Sequence, residues 1–435
     1  MPNRAILLLS LALALFPLAT GAQSLGPASP EQVGMSSQRL AKITTVFKKE
    51  IDEGRIPGAV VAVARKGKLV YYESFGARDK ATGAPMTKDS IFRIYSMTKP
   101  LVSVAAMLLV EDGSIQLTDP VSKFLPAFAK TQVSLANKND IGNVTYDTVP
   151  AARPMTVQDL LRHSAGLAYG ELTTNPSVKE AYAKASLYKA GVIEYEARDM
   201  TPAEQVERLA AIPLIHQPGT MWEYSMASDV LGRVVEAVSG KRLSEFLQER
   251  LFTPLQMRDT AFYVVQDKSA RLAQPFAIDP ATGKPNKLID VSQPPQNDSG
   301  GAGGVSTAMD YLRFAEMMLE GGALDGTRIL SRTTVNLMAS DHLGTRIATA
   351  ATPGELVLGT PGYTFGLGFM VRQGAGVAGV PGSTGEFMWA GYAGTFFWID
   401  PQEKLVAVLM TQSPGPSRPY YRRELKQLVY QAITD

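Results

Sequence analysis

Ser96-Met-Thr-Lys99 stands at the head of a very apolar run that ends at Gly113. A serine hydroxyl becomes a nucleophile when a base takes its proton, and lysine is an unusual base because it is ordinarily charged. Pro100 fits a helix only in its first turn, so the spacing predicts a helix that begins beside Ser96. Residues three apart share a helix face, which sets the Lys99 amine next to the Ser96 hydroxyl. The run after Pro100 is apolar on nearly every face, which predicts a buried helix. Burial disfavours the charged form of an amine, and a neutral amine can accept the serine proton. Free N–H groups at a helix start also favour an oxyanion nearby. The same residues read equally as a helix cap beside a snorkelling lysine, so the pattern needs partners elsewhere in the chain.

The spacing recurs at Ser186-Leu-Tyr-Lys189, within a polar stretch where a solvated lysine is the simpler reading. Two other stretches offer partners for Ser96. Tyr224-Ser-Met226 precedes a run in which Val230, Leu231, Val234, Val235 and Val238 share a helix face. A tyrosine at a helix mouth beside a lysine can act as phenolate or relay a proton to a leaving group. Taken alone, it reads more readily as a ring packed in a core. In WAGYAGTFFWIDP, from Trp389 to Pro401, small residues lead into a strand and let a substrate lie close to the backbone. There the Tyr392 N–H can pair with the Ser96 N–H as an oxyanion hole, although a glycine-rich strand entry without chemistry fits the same residues.

In this order, Ser96-x-x-Lys99, Tyr224-Ser-Met226 and Trp389-Ala-Gly391 resemble the serine β-lactamase and penicillin-binding-protein superfamily, class C branch. Within it the chain is most similar to the family VIII carboxylesterases. LLRHSAGL (160–167), GGAGGVSTAMDYLRFA (300–315) and GLGF (366–369) resemble the superfamily too, and the likeness spans residues 30–430. The resemblance implies an α+β, β-lactamase-like fold. It implies that Ser96 is the acylated nucleophile, that Lys99 and Tyr224 are the general acid/base pair, and that the N–H groups of Ser96 and Tyr392 form the oxyanion hole. Met226, Trp389 and Gly391 become substrate contacts, with no metal and no cofactor.

Two departures bear on the substrate. The β-lactamases carry Tyr-x-Asn, whose asparagine binds a substrate amide, where this chain has Met226. They carry Lys-Thr-Gly on an edge strand, whose lysine helps bind a carboxylate, where this chain has Trp389; Ser383-Thr-Gly385 is a weaker rival for that motif. Losing a charge-assisted hydrogen bond costs about 1.5–3 kcal/mol, on the order of ten- to a hundred-fold in specificity. A β-lactam or a D-Ala-D-Ala peptide loses both anchors, and a short ester without a carboxylate misses neither. The expected activity is that of a serine carboxylesterase on small esters, with weak β-lactam hydrolysis. The alternatives are a β-lactamase, a D-Ala-D-Ala carboxypeptidase, or a penicillin-binding sensor that acylates without turnover.

The elements that must position these residues are legible in outline. Ser36 to Glu53 has Leu40, Ile43, Val46, Phe47 and Ile51 at helical spacing. Two β-rich runs flank Arg65-Lys66-Gly67-Lys68 as a hairpin, and GTFFWID and KLVAVLMTQ flank a turn at 401–403. Leu425, Leu428, Val429 and Ile433 mark a last helix. The expectation is one antiparallel sheet from the two chain ends, residues 37–95 and 325–435, flanked by helices. Residues 96–324 form a mostly helical part, and the site lies between the two. Thr156, Thr201 and Thr307, each with an acid three places on, predict helix starts. The polar, proline-bearing stretch from Asn137 to Arg153 predicts a surface loop.

Of the chain's 435 residues, 43 are basic and 41 acidic, which gives no reason to expect nucleic acid or an acidic membrane as partner. The absence of cysteine excludes disulfides and a thiol nucleophile. His163, His216 and His342 are scattered, which disfavours both a metal site and a Ser-His-Asp triad. Arg162-His-Ser-Ala-Gly166 lacks the first glycine of the Gly-x-Ser-x-Gly elbow. Arg4, an apolar run from Ala5 to Ala19, and Ala22 predict a signal peptide over residues 1–22, cleaved near Ala22. The expected product is a periplasmic or secreted domain, 23–435, with no membrane span.

Overall fold

The computed structural model describes residues 25–138, 144–188 and 196–435. The apolar N-terminal run lies outside them, as does Lys189. The scaffold is a nine-stranded sheet. Its strands are β1 (Gly26–Pro27), β2 (Gly58–Arg65), β3 (Lys68–Asp79), β4 (Ala84–Pro85), β5 (Tyr363–Phe365), β6 (Met370–Arg372), β7 (Phe387–Ala390), β8 (Phe396–Asp400) and β9 (Leu405–Thr411). Their order is β1-β3-β2-β9-β8-β7-β6-β5, with β4 beside β3. The two chain ends therefore meet where β2 pairs with β9, in register from Arg65↔Leu405 to Ala59↔Thr411. All pairs are antiparallel except β1 with β3, which makes the sheet mixed at that edge. The β2–β3 hairpin turns through Lys66 at φ 52° and Gly67 at φ 73°. Two positive-φ residues in a two-residue turn match the right-handed twist of the strands.

Every residue of β2 is buried, so both faces of the sheet are covered. Helix α1 (Ser37–Asp52) packs on β3, and its first turn is capped by Ser36, whose side chain accepts the Arg39 N–H at 3.2 Å. Helix α2 (Thr98–Glu111) is buried from Thr98 to Leu109 and packs against α3 (Ala227–Ser239). Helix α4 (Ala308–Leu319) lies on β2, β8 and β9, and α5 (Arg418–Tyr430) packs on α1. Full capping boxes form at Thr156 and Thr201. At Thr307 only half of one forms: Asp310 turns away to accept from the Asp259 N–H and the Thr260 hydroxyl.

The stretch after Asn137 corrects the expected surface loop. Strands Gln132–Lys138 and Val144–Pro150 pair from Gln132↔Pro150 to Lys138↔Val144. The ribbon is mostly exposed, with Val133 and Ser134 its buried residues, and a strand with so little buried face gives no apolar period to read.

Glu316 on α4 is fully buried, and its carboxyl oxygens find no hydrogen-bond partner among the described residues. Burial, with Glu320 and Asp325 adding, pushes this carboxyl up to about 8. The folded state thus holds a proton that the unfolded chain releases near its ordinary pKa of about 4.3. The group's contribution to stability is present below that value and is lost as pH rises towards 8. Glu316→Gln should therefore gain on the parent by up to a few kcal/mol as pH rises from about 5 to about 9, read from urea midpoints. A constant difference across that range would refute this account.

Candidate active site

Ser96 sits in the 3-10 turn Tyr95–Met97, immediately before α2. Tyr95 has φ 44°, a left-handed backbone that costs a non-glycine residue about 1–3 kcal/mol. The neighbours hold it there. Its hydroxyl accepts the Ile289 N–H at 2.9 Å, and its carbonyl accepts the Thr98 hydroxyl at 2.6 Å. The Gly304 N–H donates in turn to that hydroxyl at 2.9 Å.

Lys99, the second residue of α2, is 1% exposed. Its Nζ lies 2.8 Å from the Gly301 carbonyl, 3.0 Å from the Tyr169 hydroxyl and 3.4 Å from Ser96 Oγ. It also lies 4.6 Å from the centre of the Tyr224 ring. The Gly301 carbonyl is aimed by Asp229 of α3, a buried carboxylate that accepts from the Gly301 N–H at 3.0 Å and from Ser299 at 2.7 Å. Tyr224 donates its hydroxyl to Ser96 Oγ at 2.6 Å. Its ring is held by Tyr169, Trp389 and His163, with centres 5.3, 5.4 and 5.1 Å away. Lys99, one turn on, and Tyr224, far away in sequence, thus converge on the Ser96 hydroxyl.

β7 ends against the turn that carries Ser96. β6 pairs with β7 only at Phe387 and Met388, which leaves the far side of Trp389 and Ala390 unpaired towards the cleft. A Cβ on Gly391 would lie 2.4 Å from the Ile94 carbonyl oxygen and 2.1 Å from Thr395 Oγ1. This close approach seats the end of β7 against the turn that carries Ser96; Ser96 and Tyr392 line one cavity, and the Tyr392 and Tyr95 rings meet edge-on at 5.5 Å. Among the described residues, neither the Ser96 nor the Tyr392 N–H donates to a backbone carbonyl.

The opening above Ser96 is a cavity of about 240 Å³. Tyr169, Tyr188, Tyr224, Met226, Trp389 and Tyr392 give it a largely aromatic wall. Met226 and Trp389 are each 1% exposed, and neither offers a charge. Glu171, Arg418 and Arg422 also reach the cavity, and sequence reasoning missed all three. Burial raises the Glu171 carboxyl and lowers the Arg418 guanidinium. It missed Tyr169 as well, although a buried lysine in an apolar helix implies an acceptor somewhere in the chain.

A model of the Beta-lactamase family matches residues 43–431. The chain belongs to the Beta-lactamase family. Esterase EstB of Burkholderia gladioli is 30% identical over 86% of this chain and 90% of its own. A lovastatin esterase of Penicillium rubens is 32% identical over 88% of this chain and 95% of its own. The solved structure of EstCE1, a hydrolase with promiscuous acyltransferase activity, superposes with a TM-score of 0.71, at 27% identity over 92% of this chain and 99% of that one. The fold is β-lactamase-like, and this Beta-lactamase family member is a hydrolase of the serine β-lactamase superfamily with esterase and acyltransferase relatives. No helix among the described residues is long and apolar enough to cross a membrane.

The remaining candidates lie elsewhere. His163 is buried with Nδ1 3.3 Å from Ser225 Oγ, and burial, with the Lys99 charge adding, holds its imidazole well below the usual range. It is a neutral wedge behind Tyr224. His216 faces Glu223 at 3.7 Å, and His342 is tied to Gln158 and to the Leu337 carbonyl. Ser383 and Gly385 form the turn before β7, at the end of the strand away from Ser96. Ser186 lies in a turn after the helix Pro176–Lys184.

Gly391→Ala should lower hydrolytic turnover by about a hundred-fold, because a methyl cannot fit against the Ile94 carbonyl and Thr395 without moving the backbone that carries Tyr392. Kinetics beside a thermal melt would check this, and unchanged kinetics would refute the close-approach argument.

Proposed function

We propose that this protein is a serine carboxylesterase that hydrolyses small, short-chain carboxylic esters through an acyl-enzyme on Ser96. The observation that carries the reading is the convergence of the Tyr224 oxygen, at 2.6 Å, and the Lys99 amine, at 3.4 Å, on Ser96 Oγ. Ser96 Oγ attacks the ester carbonyl, and its proton goes to the Lys99–Tyr224 pair. The new oxyanion faces the free N–H groups of Ser96 and Tyr392. Collapse expels the alcohol, which takes a proton from Tyr224. Water then attacks the acyl-enzyme, gives its proton to the same pair, and releases the acid with Ser96 restored.

The wall of the cavity supports an ester in preference to a β-lactam. Met226 offers no amide partner and Trp389 no cation, and the small aromatic cavity suits a short acyl group. The esterases among the relatives point the same way. Export to the periplasm or the medium is part of the proposal, with the mature chain starting just after Ala22.

The test is steady-state hydrolysis of p-nitrophenyl butyrate and of nitrocefin. Ser96→Ala and Lys99→Ala should each lose on the order of a thousand-fold or more in kcat, and Tyr224→Phe about a hundred- to a thousand-fold. All three should keep the parent's circular dichroism. The parent should release nitrophenol continuously, whereas a single burst would indicate a penicillin-binding sensor. Full activity in Ser96→Ala would end the proposal, and nitrocefin turnover equal to ester turnover would refute the argument from Met226 and Trp389.

A further inference from the structure

Arg422 on α5 occupies a costly place. Its side chain is 4% exposed, and among the described residues no carboxylate forms an ion pair with it. Nη1 donates to the Val357 carbonyl at 2.9 Å and Nη2 to the Gly391 carbonyl at 2.7 Å, while Nε has no acceptor. Burial, with the charge of Arg418 adding, drives the guanidinium well below its ordinary range. A buried cation without a counter-charge is among the least favourable groups a fold can hold.

The acceptor shows what the cation does. The Gly391 C=O and the Tyr392 N–H belong to one peptide group. A charged donor at the oxygen end withdraws electron density across that peptide and strengthens the N–H as a donor. Helix α5 is itself fixed. Lys426 and Tyr430 reach the buried Glu386 at 2.7 and 2.8 Å, and Arg372 joins from β6 at 3.2 Å. Glu386 lies one residue before β7, so the strand that presents the peptide and the helix that presents the guanidinium are tied together. Arg418 steadies the other side of the same residue. Its Nη1 donates to the Tyr392 carbonyl at 3.0 Å, and its guanidinium lies 4.7 Å from the centre of the Tyr392 ring.

We propose that Arg422 is a positioning residue that orients and polarises the Gly391–Tyr392 peptide, so that the Tyr392 N–H binds the oxyanion more tightly than it binds the ground-state carbonyl. The inference rests on the esterase reading of the site, and it assigns a role to a residue that does not touch the reacting atoms. An interaction of this kind grows as charge develops on the carbonyl oxygen, so its removal falls on kcat and leaves KM nearly unchanged.

The test compares the parent with Arg422→Met, Arg422→Gln and Arg422→Lys on p-nitrophenyl butyrate. It adds two readouts that follow donor strength: the affinity of phenylboronic acid, whose adduct with Ser96 is tetrahedral, and the infrared carbonyl stretch of an isotope-labelled acyl-enzyme. Arg422→Met should lose about ten- to a hundred-fold in kcat with KM within about twofold, and should weaken the boronic acid by a similar factor. Its acyl carbonyl should move to higher frequency, and Arg422→Lys should recover part of each change. If Arg422→Met does not fold, Arg422→Gln carries the test, with smaller changes of the same sign. A folded Met or Gln variant with the parent's kcat overturns the inference, as does a fall in kcat with unchanged boronic acid affinity and carbonyl frequency. Fluorophosphonate labelling of the parent separates the two levels. A labelled Ser96 with Arg422-independent kinetics sinks this inference alone, whereas an unlabelled Ser96 sinks the esterase reading beneath it.

Discussion

Lys99 takes an amine into the interior, and an amine there must find acceptors or the fold bears the cost of a stranded polar group. Its acceptors come from three separate places: Ser96 in the turn before its own helix, Tyr169 after the His163 turn, and the Gly301 carbonyl in the glycine-rich loop. Each must be brought to the amine, and each has its own support. Asp229 holds the loop, and the packing of α2 against α3 brings Asp229 and Tyr224 to the same end of the bundle. One lysine thus gathers three segments of the helical part, and the same packing puts a tyrosine hydroxyl against a serine hydroxyl.

A second constraint comes from the sheet. β7 has no β6 partner along its last two residues, and Gly391 allows its end to press on the Ile94 carbonyl. The backbone there is free of ladder pairing on its β6 side and held by β8 on the other, which gives the rigidity a preset hydrogen-bond donor requires. The strain at Tyr95 has the same character. A left-handed tyrosine next to Ser96 persists because Ile289, Thr98 and Tyr392 over-determine it.

The wall of the cavity is what supports the proposed preference for plain esters on a β-lactamase-like scaffold. An aromatic wall gives dispersion and water exclusion to any acyl group of suitable size, with little directional demand. The arginines of α5 are cations near that wall, but Arg422 spends two of its donor groups on backbone carbonyls. Its charge therefore acts on the peptide it holds before it acts on any ligand.

Much of this was legible in the chain. Ser96, Lys99 and Pro100 announce a buried helix with a reactive tip, because helical spacing and the proline rule are local physics. The hairpin at Lys66-Gly67 and the helix starts at Thr156, Thr201 and Thr307 are readable for the same reason. What the sequence alone could not reveal were contacts between distant segments: Tyr169 on the lysine, Arg422 on the Gly391 carbonyl, and the parallel pairing of β1. The stretch from Asn137 to Arg153 reads as a loop although Val144–Pro150 is a strand paired with Gln132–Lys138, because strand pattern is written by a buried face, and these strands have little of one. Sequence determined the residue types available to the candidate site and the local elements that present them, since those depend on neighbours along the chain. The tertiary structure decided which groups meet, since a buried polar atom takes its partner from whatever the packing brings within about 3 Å.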